Sequence, residues 1–308
     1  MKVLDLFFFG RPMLVIPVWT VYLHFQAVVT RDDFFSRCLP DSQSIVTLIV
    51  LTLAAKGAYV LNQIYDVETD RLNNKLFFLP QGLISLTPAC LYYGFLSLAG
   101  LAITFFFLND LLWMISSLIV LGIFYSVPLI RLKDRPFAGL LANSIGFGII
   151  VPLMAVPSHQ EAVFFNWDYI VLALPYFLAI IVVHILTTVP DREGDASVDK
   201  KTIAVLIGQK GSVRLAFFMA AAAAIMSLVL FNMEMALVTV VTLIILAISI
   251  LTSYRSQFIL IACKLPILLL SLLAACHYPA YLVLLVLTIV LTRVYYKKRF
   301  GLLYPRLN

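Results

Sequence analysis

"SIVTLIVLTLAAKGAYVLNQIYDVETD", residues 44–70, decides the fold. Residues 44–62 are almost uninterruptedly apolar, and a helix of roughly 20 residues is long enough to cross the hydrocarbon of a bilayer. Lipid admits only helices and closed β-barrels, because every backbone polar group must be paired internally. Barrel strands alternate apolar and polar residues, and this stretch does not. It therefore reads as a transmembrane helix that ends in polar residues, Asn62, Asp66 and Asp70.

Working outward, further apolar segments lie at about 12–30, 88–108, 111–128, 137–157, 168–189, 213–231, 235–253, 256–276 and 279–296. Only 12% of the 308 residues are charged, against about 25% in soluble domains. The expected architecture is an all-α, polytopic membrane helix bundle of nine or ten transmembrane helices. The uncertainty in the count comes from "HYP" at 277–279, the only break between the last two segments. No Pro-, Gly- or Ser-rich linker divides the chain, so residues 1–308 read as a single transmembrane domain. "MKVLDLFFFGRP" has little basic character and no small-residue cleavage site, so no cleavable signal peptide is expected.

Positive charge sets the orientation. Arg71, Lys75, Arg131, Lys133, Arg135, Arg192, Lys200, Lys201, Lys210 and Arg255 all fall in loops on one side, with the basic tail "YYKKRFGLLYPRLN". The opposite loops hold only Arg31 and Arg37. The pattern fits a prokaryotic inner (cytoplasmic) membrane with the acidic stretches facing the cytoplasm, with an organelle membrane, which follows the same rule, as the alternative. The net charge of +6 is thus a membrane-side property suited to anionic headgroups or an anionic substrate, and no nucleic-acid partner is expected. Cys38, Cys90, Cys263 and Cys276 form no CxxC pair, which argues against a disulfide framework or a thiolate metal site. Oligomeric state is not legible.

A second acidic stretch, "TVPDREGDASVDKKT" at 188–202, follows another membrane-length run on the same side. Asn62, Asp66 and Asp70 are spaced i, i+4, i+8, and so are Asp191, Asp195 and Asp199; on a helix either set shares one face. Stacked carboxylates repel unless something neutralises them. A hard divalent cation is the natural answer, and Mg²⁺ typically takes one or two carboxylates with substrate phosphates completing its shell. Two matched clusters, each at the end of a spanning helix, suggest a loose internal repeat gripping one diphosphate.

"NQIYDVETD" (62–70) resembles the first signature of the UbiA-type intramembrane prenyltransferases, and "DREGD" with "DKKTIAVLIG" (191–208) resembles the second. "YSVPLIRLKDRPFAGLLAN" (125–143) is similar to the segment after the family's fourth helix, and "GRPMLVIPVW" (10–19) to its opening. The resemblance implies a helical bundle around a central cavity open laterally to lipid. It implies Mg²⁺-dependent transfer of a polyprenyl group from its diphosphate, through an allylic carbocation, to a lipophilic acceptor. Asn62, Asp66 and Asp70 match the first metal-diphosphate motif, and Asp191 and Asp195 the second; Asp199 extends the metal set.

Other residues join as candidates. Arg131, Lys133, Lys200 and Lys201 are placed to share the diphosphate charge, with topology as the competing reading. Tyr125 is a candidate for steadying the cation with its ring or positioning the acceptor, with core packing as the alternative. Lys56 and Lys264 lie inside apolar helices, where a charge costs about 2.5–3.5 kcal/mol and usually faces a cavity or a partner. Lys56 is expected to reach the diphosphate or the first Asp cluster, with snorkelling as the alternative; Lys264 is expected to pair across the bundle. His184, two turns before Asp191, reads as an interhelical histidine with satisfied hydrogen bonds, with contact to a phosphate or an acceptor as the alternative. Gln63 stands where many family members carry Asp; Gln there resembles the homogentisate-type branch, which points to a phenolic acceptor. "NNKLFFLPQG" lacks the Arg-Pro that commonly follows the first motif.

The expected function is prenyl transfer to an aromatic, quinone-precursor-like acceptor, with a glycerolipid or isoprenoid acceptor as the alternative. A divalent-cation transporter is the non-enzyme alternative, but it would place its carboxylates near the midplane of broken helices. A CDP-alcohol phosphotransferase would need Asp-Gly followed by Ala-Arg in the first motif, and "DVETDRLNN" has neither.

Overall fold

The computed structural model describes residues 3–72, 78–156, 166–197 and 200–305. Lys75 and Asp199 lie outside them, as does the loop 157–165. The helices are α1 Val3–Phe9, α2 Ile16–Thr30, α3 Ser42–Tyr65, α4 Val67–Leu72, α5 Leu86–Phe107, α6 Leu112–Ser126, α7 Pro136–Ile145, α8 Val151–Leu153, α9 Trp167–Thr188, α10 Arg192–Ser197, α11 Ile203–Val229, α12 Met233–Leu251, α13 Ser256–His277 and α14 Pro279–Phe300. Among the described residues nine helices or helix runs are long and apolar enough to span a membrane. A tenth span results if the pair Leu4–Leu14 and Ile16–Thr30, bent by 51°, is counted as one.

Local chemistry sets several boundaries. Asp41 caps α3 by accepting from the Ser44 amide at 2.9 Å, and Asn232 caps α12 by accepting from Met235 at 3.0 Å. Such caps satisfy amides that a helix start leaves unpaired. The segment expected at 213–231 starts ten residues earlier, at Ile203, because Gly208 (φ 71°, ψ 172°) bends the chain while the helix resumes beyond it. That backbone conformation is open essentially to glycine alone.

The two acidic motifs share one backbone device. The long helix α3 stops at Tyr65, Asp66 (φ −107°, ψ 11°) caps it, and the six-residue α4 follows. The long helix α9 likewise stops at Thr188, and the six-residue α10 follows. The amide of Asp70 donates to the Asp66 carbonyl (2.7 Å) and that of Asp195 to the Asp191 carbonyl (2.8 Å). Each long helix packs most closely against the next one along the chain, α3 on α5 and α9 on α11. This matches the expected repeat, but corrects the single helical face expected for Asn62, Asp66 and Asp70, because the helix breaks at Asp66.

Alternating spans bring the polar ends together at two levels. At the end away from the motifs, Glu234 of α12 accepts from His24 of α2 (3.1 Å) and His277 of α13 (3.0 Å). Tyr176 of α9 bonds His24 at 2.6 Å. At the motif end α14 clasps α1: Phe8 stacks on Tyr295 with centroids 3.8 Å apart. Tyr295 donates to Asp5 at 2.5 Å, and Arg299 donates to the same carboxylate at 3.2 Å.

The backbone between α7 and α8 forms a π-helical turn, Gly146–Ile150. A Cβ on Gly148 would lie 2.5 Å from the Phe177 Cα of α9, so only glycine permits this approach. Gly148→Ala should destabilise the protein by about 1–3 kcal/mol, as overpacking against backbone does. Thermal unfolding in detergent checks this, with Gly94→Ala, whose added Cβ meets nothing within 4 Å, expected to leave the melting temperature unchanged or raised.

Candidate active site

A cavity of about 460 Å³ lies between α3, α6, the α7–α8 run and α9. On α3 its wall is Leu51, Ala54, Ala55, Ala58, Tyr59 and Asn62, one helical face by spacing. The alanines are why space remains, since larger side chains at those positions would fill it. Leu118, Leu121, Gly122 and Tyr125 of α6 face them, with Asn143, Gly146 and Phe147 on a third side. Arg11, His184, Thr187, Thr188, Asp191, Asp195 and Lys200 complete the lining and make one end polar.

Five of the expected residues line this cavity: Asn62, Tyr125, Asp191, Asp195 and Lys200. Asp66 joins them through Lys133, whose ammonium donates to Asn62 Oδ1 at 3.0 Å and to Asp66 at 2.5 Å. Arg131 approaches the same carboxylate at 3.8 Å while pairing with Asp134 at 2.6 Å. Lys133 is buried. Burial pushes its pKa down, and Asp66 works against that fall. In the second motif Lys200 pairs with Asp195 at 3.3 Å. Burial opposes the charge of Lys200, yet Asp195, with Tyr125 and Asp66 contributing, outweighs it and raises the pKa above the ordinary lysine value. The lysine is thus held positive between the two motifs.

Other expectations are corrected. Lys56 is buried but does not line the cavity; its ammonium sits 3.9 Å from the centre of the Phe7 ring. Six residues separate it from Asn62, a rotation of about 240° on a helix, which leaves the two about 120° apart. Gln63 shares that far side, donating to the carbonyl of Phe9 at 2.9 Å. It holds α1, and the acceptor is not to be read from it. Asp70 is buried outside the cavity lining and Lys201 is exposed, while Lys264, at an exposed position of α13, also lies outside the lining and interacts with a group elsewhere. His184 lines the cavity, and its ring makes no hydrogen bond with a protein group among the described residues.

Sequence reading passed over Arg11, Tyr59, Ser126, Asn143, Thr187 and Thr188, all in the lining. Signals existed for some: Arg11 sits in "GRPMLVIPVW", Asn143 closes the segment after Tyr125, and Tyr59 is one turn before Asn62. Arg11 and Arg131 each adopt a left-handed backbone (φ 52° and 46°) just before a 3₁₀ turn, Pro12–Leu14 and Leu132–Asp134. Non-glycine residues rarely take that conformation without a tertiary reason.

The donor set suits a hard cation shared with a ligand. No three histidine, cysteine or carboxylate side chains converge into a metal-holding group among the described residues, so a cage made wholly of protein ligands is not formed. Asn62, Asp66, Asp191 and Asp195 instead offer oxygens from two sides of one polar end. That is the arrangement in which Mg²⁺ takes a carboxylate or two and phosphate oxygens supply the rest. The hydroxyl of Ser126, buried at the cavity wall with no hydrogen-bond partner among the described residues, is a further group left for a polar ligand.

Residues 18–258 match the UbiA prenyltransferase family. A digeranylgeranylglyceryl phosphate synthase from Methanoculleus marisnigri is 30% identical over 191 residues, covering 61% of this chain and 66% of that protein. One from Saccharolobus solfataricus is 29% identical over 176 residues, covering 56% and 59%. The chain thus spans a little under two thirds of the length of these relatives. A homogentisate phytyltransferase from Synechocystis sp. is 28% identical over 219 residues, covering 67% and 69%. Among solved structures, a UbiA homolog from Archaeoglobus fulgidus bound to GPP and Mg²⁺ has the same fold, with TM-score 0.65 at 18% identity, covering 87% of this chain and 96% of that one.

The Lys133–Asp66 pair should behave as a buried ion pair. Lys133→Met or Asp66→Asn alone should cost about 3 kcal/mol by stranding the other charge. The double variant should cost clearly less than the sum. Thermal unfolding of the four proteins, in detergent without diphosphate, measures the coupling.

Proposed function

The chain belongs to the UbiA prenyltransferase family, and from that premise we propose that it transfers a polyprenyl group from a prenyl diphosphate to a lipophilic acceptor inside the membrane. The observation that carries this is the two-ended cavity: apolar walls between membrane-spanning helices, bounded at one end by two acidic motifs and their cations.

The chain's own groups divide the work. Arg11 and Lys200 face the polar end, with Lys133 and Arg131 behind Asn62 and Asp66, and they counter the charge of a diphosphate. Asn62, Asp66, Asp191 and Asp195 would hold Mg²⁺, which when bound stabilises the negative charge that builds on the departing oxygens. Leu51, Leu118, Leu121 and Phe147 take the prenyl chain and exclude water from an allylic cation. The rings of Tyr59 and Tyr125 face the same space, where an aromatic face attracts a cation. Tyr59 is fixed by its hydroxyl, which donates to the Leu14 carbonyl at 2.9 Å.

Two acceptor classes are supported. A phenolic acceptor fits the likeness to a homogentisate phytyltransferase. A glycerolipid acceptor fits the likeness to digeranylgeranylglyceryl phosphate synthases. The membrane-embedded cavity supports an integral membrane site in either case, and we propose that its polar end faces the cytoplasm.

The test is purified protein with labelled geranylgeranyl diphosphate, Mg²⁺ or EDTA, and either homogentisate or a mono-geranylgeranyl glyceryl phosphate. Mg²⁺-dependent diphosphate release with a labelled lipid product is expected, and the product mass identifies the acceptor. No consumption by folded protein with either acceptor would overturn the reading. Asp66→Asn and Asp191→Asn should each lower transfer by at least ~10²-fold, the scale of losing one group that stabilises developing charge. Lys56→Met, by contrast, should leave the KM for geranylgeranyl diphosphate unchanged, because Lys56 faces α1 and not the cavity.

A further inference from the structure

Alkylation by an allylic cation leaves one proton to remove, whether the acceptor reacts at a ring carbon or at a hydroxyl. Resting on the prenyl-transfer reading, we propose that His184 takes that proton.

Asp66 is tied to Lys133 and Arg131, and Asp195 to Lys200, so those carboxylates are engaged by cations at the diphosphate end. His24 and His277, the other described histidines, are both tied to Glu234 at the far end of the bundle. His184 alone among the described histidines faces the cavity, and its ring has no protein hydrogen bond. Polar side chains are costly in a membrane helix and usually mark a pathway or site.

His184, Thr187 and Thr188 line the cavity at the i, i+3, i+4 spacing of one helical face, and Asp191, in the turn just beyond α9, lines it too. His184 lies four residues, about 6 Å at 1.5 Å per residue, before the last residue of α9, on the side away from Asp191. Thr187 and Thr188 donate their hydroxyl protons to carbonyls of their own helix, at 2.8 and 2.7 Å. Their lone pairs are left to accept from a hydroxylated acceptor. The stripe thus offers two hydroxyl-binding oxygens and a base in line with the diphosphate end.

The step balances. The C–O bond to diphosphate breaks with its electron pair leaving on oxygen. The acceptor's electron pair forms the new C–C or C–O bond. The acceptor's proton passes to a ring nitrogen of His184 and from there to the departing diphosphate or water. The other titratable groups lining the cavity are Arg11, Tyr59, Tyr125, Asp191, Asp195 and Lys200.

The experiment compares wild type with His184→Gln, His184→Phe and His184→Ala, using geranylgeranyl diphosphate, Mg²⁺ and the acceptor that wild type uses. The proposal expects kcat lower by about 10²-fold, the usual contribution of a positioned general base, with KM for the diphosphate unchanged. The acidic limb of the wild-type pH–rate profile should vanish in the variants, and added imidazole should partly restore His184→Ala. Full activity in Gln and Phe would overturn it. So would a loss that tracks a lowered melting temperature, with the pH profile intact and no rescue. A wild type inert toward either acceptor would remove the prenyl-transfer reading, and this assignment with it.

Discussion

A carboxylate withdrawn from water at the end of a transmembrane helix must be answered by positive charge, and Asp66 is where this chain meets that requirement. Lys133 binds it together with Asn62, and Arg131 stands behind. The pairing brings the segment between α6 and α7 onto the end of α3, which closes one side of the cavity. Lys200 does the equivalent for Asp195. Protein cations thus balance these acids. The same cations are in position to meet a phosphate when one arrives.

The motifs can present their acids to a shared space because their helices stop. A continuous α3 would carry Asp66 and Asp70 onward along the helix axis. Ending it at Tyr65, and α9 at Thr188, turns the acids across the cavity mouth instead. Repetition of the long-helix, six-residue-helix device in both halves gives the polar end its two opposing sides.

The two faces of α3 have different work. One is lined with alanines, Tyr59 and Asn62, and leaves volume for a ligand. The other carries Lys56 and Gln63 and holds α1 through the Phe7 ring and the Phe9 carbonyl. Held there, α1 is also clasped by α14 through Asp5, Tyr295 and Arg299. Both α1 and α14 lie outside residues 18–258, the part that matches the family. They nevertheless fix the approach to Arg11, which reaches the cavity from the turn after α1.

The sequence by itself determined the helical class, the spans and the two acidic motifs. These depend on hydrophobic length and on charge at helix ends, which are local properties of the chain. Tyr125, Asp191, Asp195 and Lys200 were likewise legible, since their motifs sit next to spans whose ends are evident. The direction of Lys56 and Gln63 was not, because a charged or amide side chain in an apolar helix signals only that it has a partner. Its azimuth among neighbouring helices decides which partner. His184 stood between two readings for the same reason: sequence shows a histidine in a span, while only the packing of α9 against the α7–α8 run, across the cavity from α3, shows that its ring faces the cavity. What tertiary structure decided was which face of each helix looks inward, because that depends on contacts between segments far apart in the chain.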